Sequence, residues 1–250
     1  MFARISSNNT LLKRASLVSP KTFNHVEVDI SKIGHIEQLN ENGVRHYLTP
    51  SGFRYPSITT VMSLHSADGI TQWKAKVGKK ESDKIITQAL RKGTALHNIC
   101  ENYLTNQEEL GDSSPLMKDL FLTVKPTLDK YVDNIHCVET RLYSDHIGVA
   151  GTTDCIAEFD GVLSIIDFKT ARKMKDASQI KHYFMQASGY AVMYEELFGI
   201  PVPQIVIIMV SEGEIKVFKE KRNNYIHSLI ELVNQYKLVQ SVMEKQDEPS

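Results

Sequence analysis

The sequence predicts an α/β fold: a central mixed β-sheet flanked by helices, with a helical elaboration ahead of it in the chain. Three observations carry the prediction. "GTTDCIAEFDGVLSIIDFKT" (151–170) is two alternating stretches joined by Asp160-Gly161, the dipeptide of a tight hairpin. "PQIVIIMVSEGEIKVFKE" (203–220) is a second hairpin, and the amphipathic stretch "DASQIKHYFMQASGYAVMYEELFG" (176–199) stands between the two. A mixed sheet with helices on both faces satisfies that order.

Each element follows from its own residues. Residues 1–26 carry Arg4, Lys13, Arg14 and Lys21 with no acidic residue, and read as a disordered basic arm or a mitochondrial transit peptide. Residues 27–245 are expected to form one domain. "VRHYLTPSGFRYP" (44–56) reads as two short strands around a Pro-Ser-Gly turn, and "SITTVMSL" opens a helical part over about 60–135. Apolar residues at Ile85, Ile86, Ala89 and Leu90, then Leu96, Ile99, Cys100 and Tyr103, predict helix from Thr71 to Leu104, interrupted at Gly93. After the loop "TNQEELGDSSP", a helix over Leu116–Ile135 is expected to kink or break at Pro126. The sheet core spans about 136–220 and begins with the alternating "CVETRLY" (137–143). Asp176 and Gln179 are expected to cap the following helix, and Gly199-Ile200-Pro201 to end it. Ile226, Leu229, Val233 and Tyr236 predict a last helix within 222–245.

Composition narrows the function. With 250 residues, 42% hydrophobic, the chain can bury a sizeable core. A net charge of −1 gives no general attraction to polyanions, so any nucleic-acid contact must come from a local basic patch. Cys100, Cys137 and Cys155 form no CxxC pair, which argues against a disulfide framework and a cysteine-rich zinc site. The longest apolar runs are too short to span a bilayer. No GxxxxGK[ST] loop is present, so no nucleotide cofactor is implied.

The first hairpin raises a chemical question. Counted outward from its turn, Phe159 meets Val162, Glu158 meets Leu163, and Asp154 meets Asp167. Two facing carboxylates about 5 Å apart repel by about 3 kcal/mol at an effective dielectric near 20. A shared proton, an organic cation or a metal ion can offset that cost. Lys169, two residues past Asp167, falls on the same face, above Ile156, Ile165 and Leu163. One ammonium in a salt-bridged triad leaves a negative charge in excess. A hard divalent cation removes it, binding oxygen ligands while keeping waters for a substrate phosphate.

Asp154 followed by "IIDFK" resembles the D…(D/E)xK signature of the PD-(D/E)XK nuclease superfamily. "GTALHNICENYL" (93–104) is similar to the upstream His motif of its RecB-type exonuclease branch, and "QASGY" (186–190) to the downstream QxxxY motif. "YPSITTVMS", "GTTDCIAEFDGVLSIIDFKTARK" and "IVIIMVSEGE" resemble phage-encoded exonucleases and the mitochondrial genome-maintenance exonucleases, over roughly residues 45–220. Two departures matter: three scattered cysteines cannot supply the four that hold an iron–sulfur cluster in some members, and there is no helicase portion.

The resemblance implies a restriction-endonuclease-like core and a Mg²⁺- or Mn²⁺-dependent DNA exonuclease. It assigns the metal to Asp154, Asp167, the Phe168 backbone carbonyl and His97, with Lys169 orienting water or stabilising charge, and Gln186 and Tyr190 positioning Lys169 or the DNA backbone. Glu101, one helical turn after His97, and Glu139, on the preceding strand, are further candidate ligands; Glu139 can instead pair with Arg141. Arg172, Lys173, Lys175 and Lys181 follow the active strand where a phosphate backbone must lie, and are expected to contact DNA. Single strands or frayed ends are the expected substrate. An endonuclease on the same core and a non-catalytic nucleic-acid binder are the alternatives. The expected compartment is the cytoplasm, that of the host if the chain is phage-encoded, with the mitochondrion as alternative.

Overall fold

The computed structural model describes residues 21–247 apart from 42, 65–66, 108–113 and 212. A three-stranded antiparallel sheet comes first: β1 (Glu37–Glu41), β2 (Val44–Leu48) and β3 (Arg54–Pro56). Helices α1 (Ile58–Ser63), α2 (Ala67–Val77), α3 (Lys79–Leu104) and α4 (Pro115–Tyr131) follow. The main sheet then runs β4 (Val132–Ser144), β5 (Val149–Phe159), β6 (Val162–Thr170), helix α5 (Lys181–Phe198), β7 (Gln204–Ser211) and β8 (Glu214–Lys221), and α6 (Ile226–Asp247) closes the chain. Spatial order equals chain order across its five strands. Every pair is antiparallel except β6–β7, which the α5 crossover makes parallel. The predicted α/β class with a mixed sheet is therefore what the chain adopts.

Strand alternation divides the core between two faces. Ile205, Ile207 and Met209 join Phe184, Tyr194 and Leu229 of α5 and α6. Val206, Ile208 and Val210 join Leu96 and Leu104 of α3 and Phe121 and Leu128 of α4. Gly189 matters to the first face, because a Cβ there would collide with Ile58 of α1 and crowd Leu229 of α6.

Several boundaries differ from expectation, each for a local reason. β1 was not foreseen. Gly93 stays helical inside α3; the interruption falls at Gly78, whose φ of +90° few other residues adopt. Pro126 does not end α4, and the carbonyl it deprives of a partner belongs to Leu122, on the exposed side of the helix. That helix stops at Tyr131 rather than Ile135, because Val132 already turns extended into β4. Asp176 and Gln179 do form a capping box, but around the short 3₁₀ turn Ala177–Gln179, and α5 starts at Lys181. The first twenty residues of the expected arm, and the centre of the loop before α4, lie outside the described residues.

Residues 21–26 run along β4. The Val26 N–H donates to the Ile135 carbonyl and the Ile135 N–H to the Asn24 carbonyl, while Phe23 is buried beside Tyr103. No helix among the described residues is long and apolar enough to cross a membrane.

Candidate metal and catalytic centre

The Asp160-Gly161 turn has φ of +56° and +75°, the doubly left-handed backbone a type I′ hairpin requires. The register it sets runs from Phe159 opposite Val162 to Cys155 opposite Ile166, and there the ladder ends. The next residues outward are Asp154 and Asp167, at the mouth of a fork between β5 and β6. Side chains replace the missing ladder. Asp154 Oδ2 accepts the Phe168 N–H at 2.8 Å, and His97 Nε2, from α3, donates to the Phe168 carbonyl at 2.8 Å. Both backbone groups of Phe168 are thereby satisfied.

That last bond fixes the ring orientation and aims Nδ1 at two carboxylates, 3.4 Å from Asp154 Oδ1 and 3.8 Å from Glu139 Oε1. Glu139 stands across β4–β5 from Asp154, flanked by the pairs Val138–Cys155 and Thr140–Thr153. Its φ is +44°, a conformation that a non-glycine residue holds only under constraint. His97, Glu139 and Asp154 each offer a ligand atom within 4.8 Å of the others. On the other side of Asp154, the Lys169 ammonium lies 2.7 Å from both oxygens of Asp167, but donates a hydrogen bond only to Oδ1. Asp167 is 1% exposed, so Oδ2 is a buried acceptor without a hydrogen bond.

Three carboxylates thus crowd round one ammonium and one imidazole. Burial pushes Asp167 up to about 6; Lys169 opposes that and the Asp154 charge adds to it. Burial disfavours charge on His97 too, yet Asp154 and Glu139 outweigh it and push the imidazole up to about 10. Asp154 is held below its ordinary value, because His97, Lys169 and the Phe168 N–H overcome its burial. Asp167 lies outside the three-residue group with both oxygens against the Lys169 ammonium, whereas His97 Nδ1 faces two carboxylates, a donor set that fits a positive charge. A divalent cation among them meets that requirement.

The remaining expected residues fall at graded distances from this centre. Glu101 lies outside the three-residue group, although burial and the nearby Glu139 raise its pKa. Gln186 and Tyr190 are buried and bond to each other at 3.3 Å; neither hydrogen-bonds to Lys169 among the described residues. Tyr190 packs instead over Gly151 of β5, where a Cβ would sit 2.9 Å from its ring. Of the basic run, Lys175 shares the Tyr183 ring with Lys169, at 5.5 and 5.1 Å. Arg172 lines a cleft of about 680 Å³ beside α3, Lys173 is exposed, and Lys181 lines a separate groove with Asn224 and Tyr225.

Sequence reasoning passed over Gly151, Tyr183 and the basic residues of α3 in that cleft. Only the last left a readable signal, a local excess of lysine.

No protein-family model matches the chain. Over 129 residues, 48% of its length, it is 26% identical to mitochondrial genome maintenance exonuclease 1 from Homo sapiens, and the match spans 38% of that protein. Among solved structures, that of SSO0001 is similar with a TM-score of 0.42 and 13% identity, over 74% of this chain and 75% of the other. The chain is thus distantly similar to a nuclease.

Proposed function

We propose that this chain is a divalent-metal-dependent exonuclease that hydrolyses DNA phosphodiester bonds, working from single-stranded or frayed ends. One observation carries the reading: Glu139, Asp154 and Asp167 stand side by side across β4, β5 and β6, facing His97 Nδ1 and a single ammonium. The relative's name, an exonuclease, supports the reaction and makes DNA the expected substrate; its mitochondrial name supports that compartment. Residues 27–245 are read as one nuclease domain.

Asp154, Glu139 and His97 Nδ1 would hold Mg²⁺ or Mn²⁺ together with an Asp167 oxygen shared with Lys169, with the Phe168 carbonyl and Glu101 at the margin. When bound, such an ion lowers the pKa of a coordinated water and stabilises charge on the scissile phosphate. The chain's own residues do the rest. Phe168 fixes the His97 ring orientation, so that Nδ1 is the nitrogen presented. Asp167 anchors the Lys169 ammonium at the fork, where it can meet a phosphate oxygen or orient the attacking water. Gln186 and Tyr190, too deep to touch DNA, brace β5 through Gly151. Arg172, Lys173 and Lys175 continue from the reacting strand toward the phosphate backbone, with Lys181 further out.

The test pairs end-labelled linear single-stranded DNA with a circle of the same sequence, in Mg²⁺ or EDTA, using the wild type and Lys169→Met. Metal-dependent loss of the linear DNA alone, abolished in the variant, is the expected result. Cutting of the circle would make the protein an endonuclease. Survival of both, and of duplex DNA and RNA, would overturn the catalytic reading.

A further inference from the structure

We infer that the cleft between α3 and the ends of β6 and β7 is the path by which a single strand reaches the reaction centre, its phosphates held by Lys84, Lys92 and Arg172. The inference rests on the nuclease reading and extends it to a surface outside the metal group.

Three independent features point there. The first is charge: residues 67–93 hold seven Lys or Arg against three Asp or Glu, an excess of four positive charges in a chain whose net charge is −1. The second is geometry. Glu81, Lys84, Gln88 and Lys92 recur at three- and four-residue intervals and line one wall, so a single face of α3 borders the cleft for about 16 Å. Thr170, Arg172 and Ser211 form the opposite wall, with Ile85 and Ala89 giving apolar surface against which bases can lie. The third is topology. Thr170 and Ser211 end the parallel strands β6 and β7, and open α/β sheets take their ligands outside the carboxyl ends of such strands. Gly93 of α3, where a Cβ would lie 3.8 Å from Thr170 Oγ1, stands one helical turn before His97, so the cleft borders the fork.

Size selects the form of the substrate. A cleft of about 680 Å³ is that of a site for a small organic ligand, with room for roughly one or two nucleotides of one strand and not for both strands of a duplex. Glu81, at the end of the stripe away from His97, would repel a phosphate and marks where the track stops.

The experiment measures binding of a fluorescent oligothymidine by anisotropy in EDTA across a salt series. Three phosphate contacts on a single strand contribute about 2 to the slope of log K against log salt. The triple variant Lys84→Gln/Lys92→Gln/Arg172→Gln should therefore lose about that much slope and bind more weakly at every salt concentration. Lys219→Gln/Lys221→Gln, on β8, is the control and should keep the wild-type slope. An unchanged slope in the triple variant, or an equal loss in the control, would overturn the inference. Cleavage by the wild type in Mg²⁺ is scored separately. Cleft-dependent binding without cleavage would sink the nuclease reading and leave the track standing; cleavage with cleft-independent binding would do the reverse.

Discussion

Replacing Lys169 by methionine keeps most of the side chain's apolar bulk and removes the ammonium that pairs with Asp167. At 2.7 Å and an effective dielectric near 20, the lost attraction is about 6 kcal/mol. Part of it only offset the desolvation of the two charges, and breaking a buried pair typically costs about 3–5 kcal/mol. Asp167 has an escape. Burial already pushes its carboxyl up to about 6 against the pull of Lys169, so without the ammonium it takes up a proton near neutral pH. The loss should therefore sit at the low end, about 3 kcal/mol, which for a chain of this size lowers Tm by roughly 6–12 °C. Urea unfolding and thermal melts in EDTA would measure it. Repeated with Mg²⁺, they should show a larger recovery in the variant than in the wild type, since the ion supplies the missing positive charge. A variant as stable as the wild type in EDTA would refute the idea that Asp167 is held as a charge by Lys169.

Three further outcomes are expected. Glu139→Gly should relieve the backbone at φ +44° and stabilise the metal-free protein by about 1 kcal/mol, while Mn²⁺ binding followed by calorimetry weakens at least tenfold; opposite signs in the two measurements are the signature. Gly151→Ala places a Cβ 2.9 Å from the Tyr190 ring and should cost about 1–3 kcal/mol with a fall in kcat, and an unaltered melt would deny Tyr190 its bracing role. Asp133 is held below its ordinary 3.8, chiefly by the Asn24 N–H, so its contribution is present above that value and lost as pH falls through the depressed one. The protection of Val26 and Ile135 against hydrogen exchange, measured relative to the intrinsic rate at each pH, should then fall in acid before the rest of the sheet opens.

The hairpin carrying Asp154, Asp167 and Lys169 was legible because its information is local. Strand alternation and one Asp-Gly turn fix the register, and the register brings the residues together. The β1–β2 hairpin carried the same kind of signal, Asn42-Gly43 between extended stretches, and was overlooked. Gly93 and Gly78 show the opposite case. Both are glycines near the same helix, and composition alone does not say which adopts a positive φ. The geometry of Glu139 lay partly beyond reach, since alternation placed it on its strand but gave no hint of its left-handed backbone. The basic residues of the cleft come from two elements, and only one of them was singled out. Arg172 to Lys181 follow the active strand in sequence, whereas Lys84 and Lys92 join Arg172 at the cleft only because α3 packs across the ends of β6 and β7; the excess of lysine there is local, its placement is tertiary.

The short run of residues 24–26 along β4 also bears on edge-to-edge pairing between copies of this protein. A sheet with a bare outer strand invites a neighbour to extend it. Here one flank is occupied around Ile135 by the chain's own beginning, and the other, β8, carries Lys216, Lys219, Glu220 and Lys221. A protease cut just after Val26 would strip the first flank and uncover the backbone of β4 around Ile135. Self-association, seen as light scattering at constant protein concentration, would then precede any loss of helical signal.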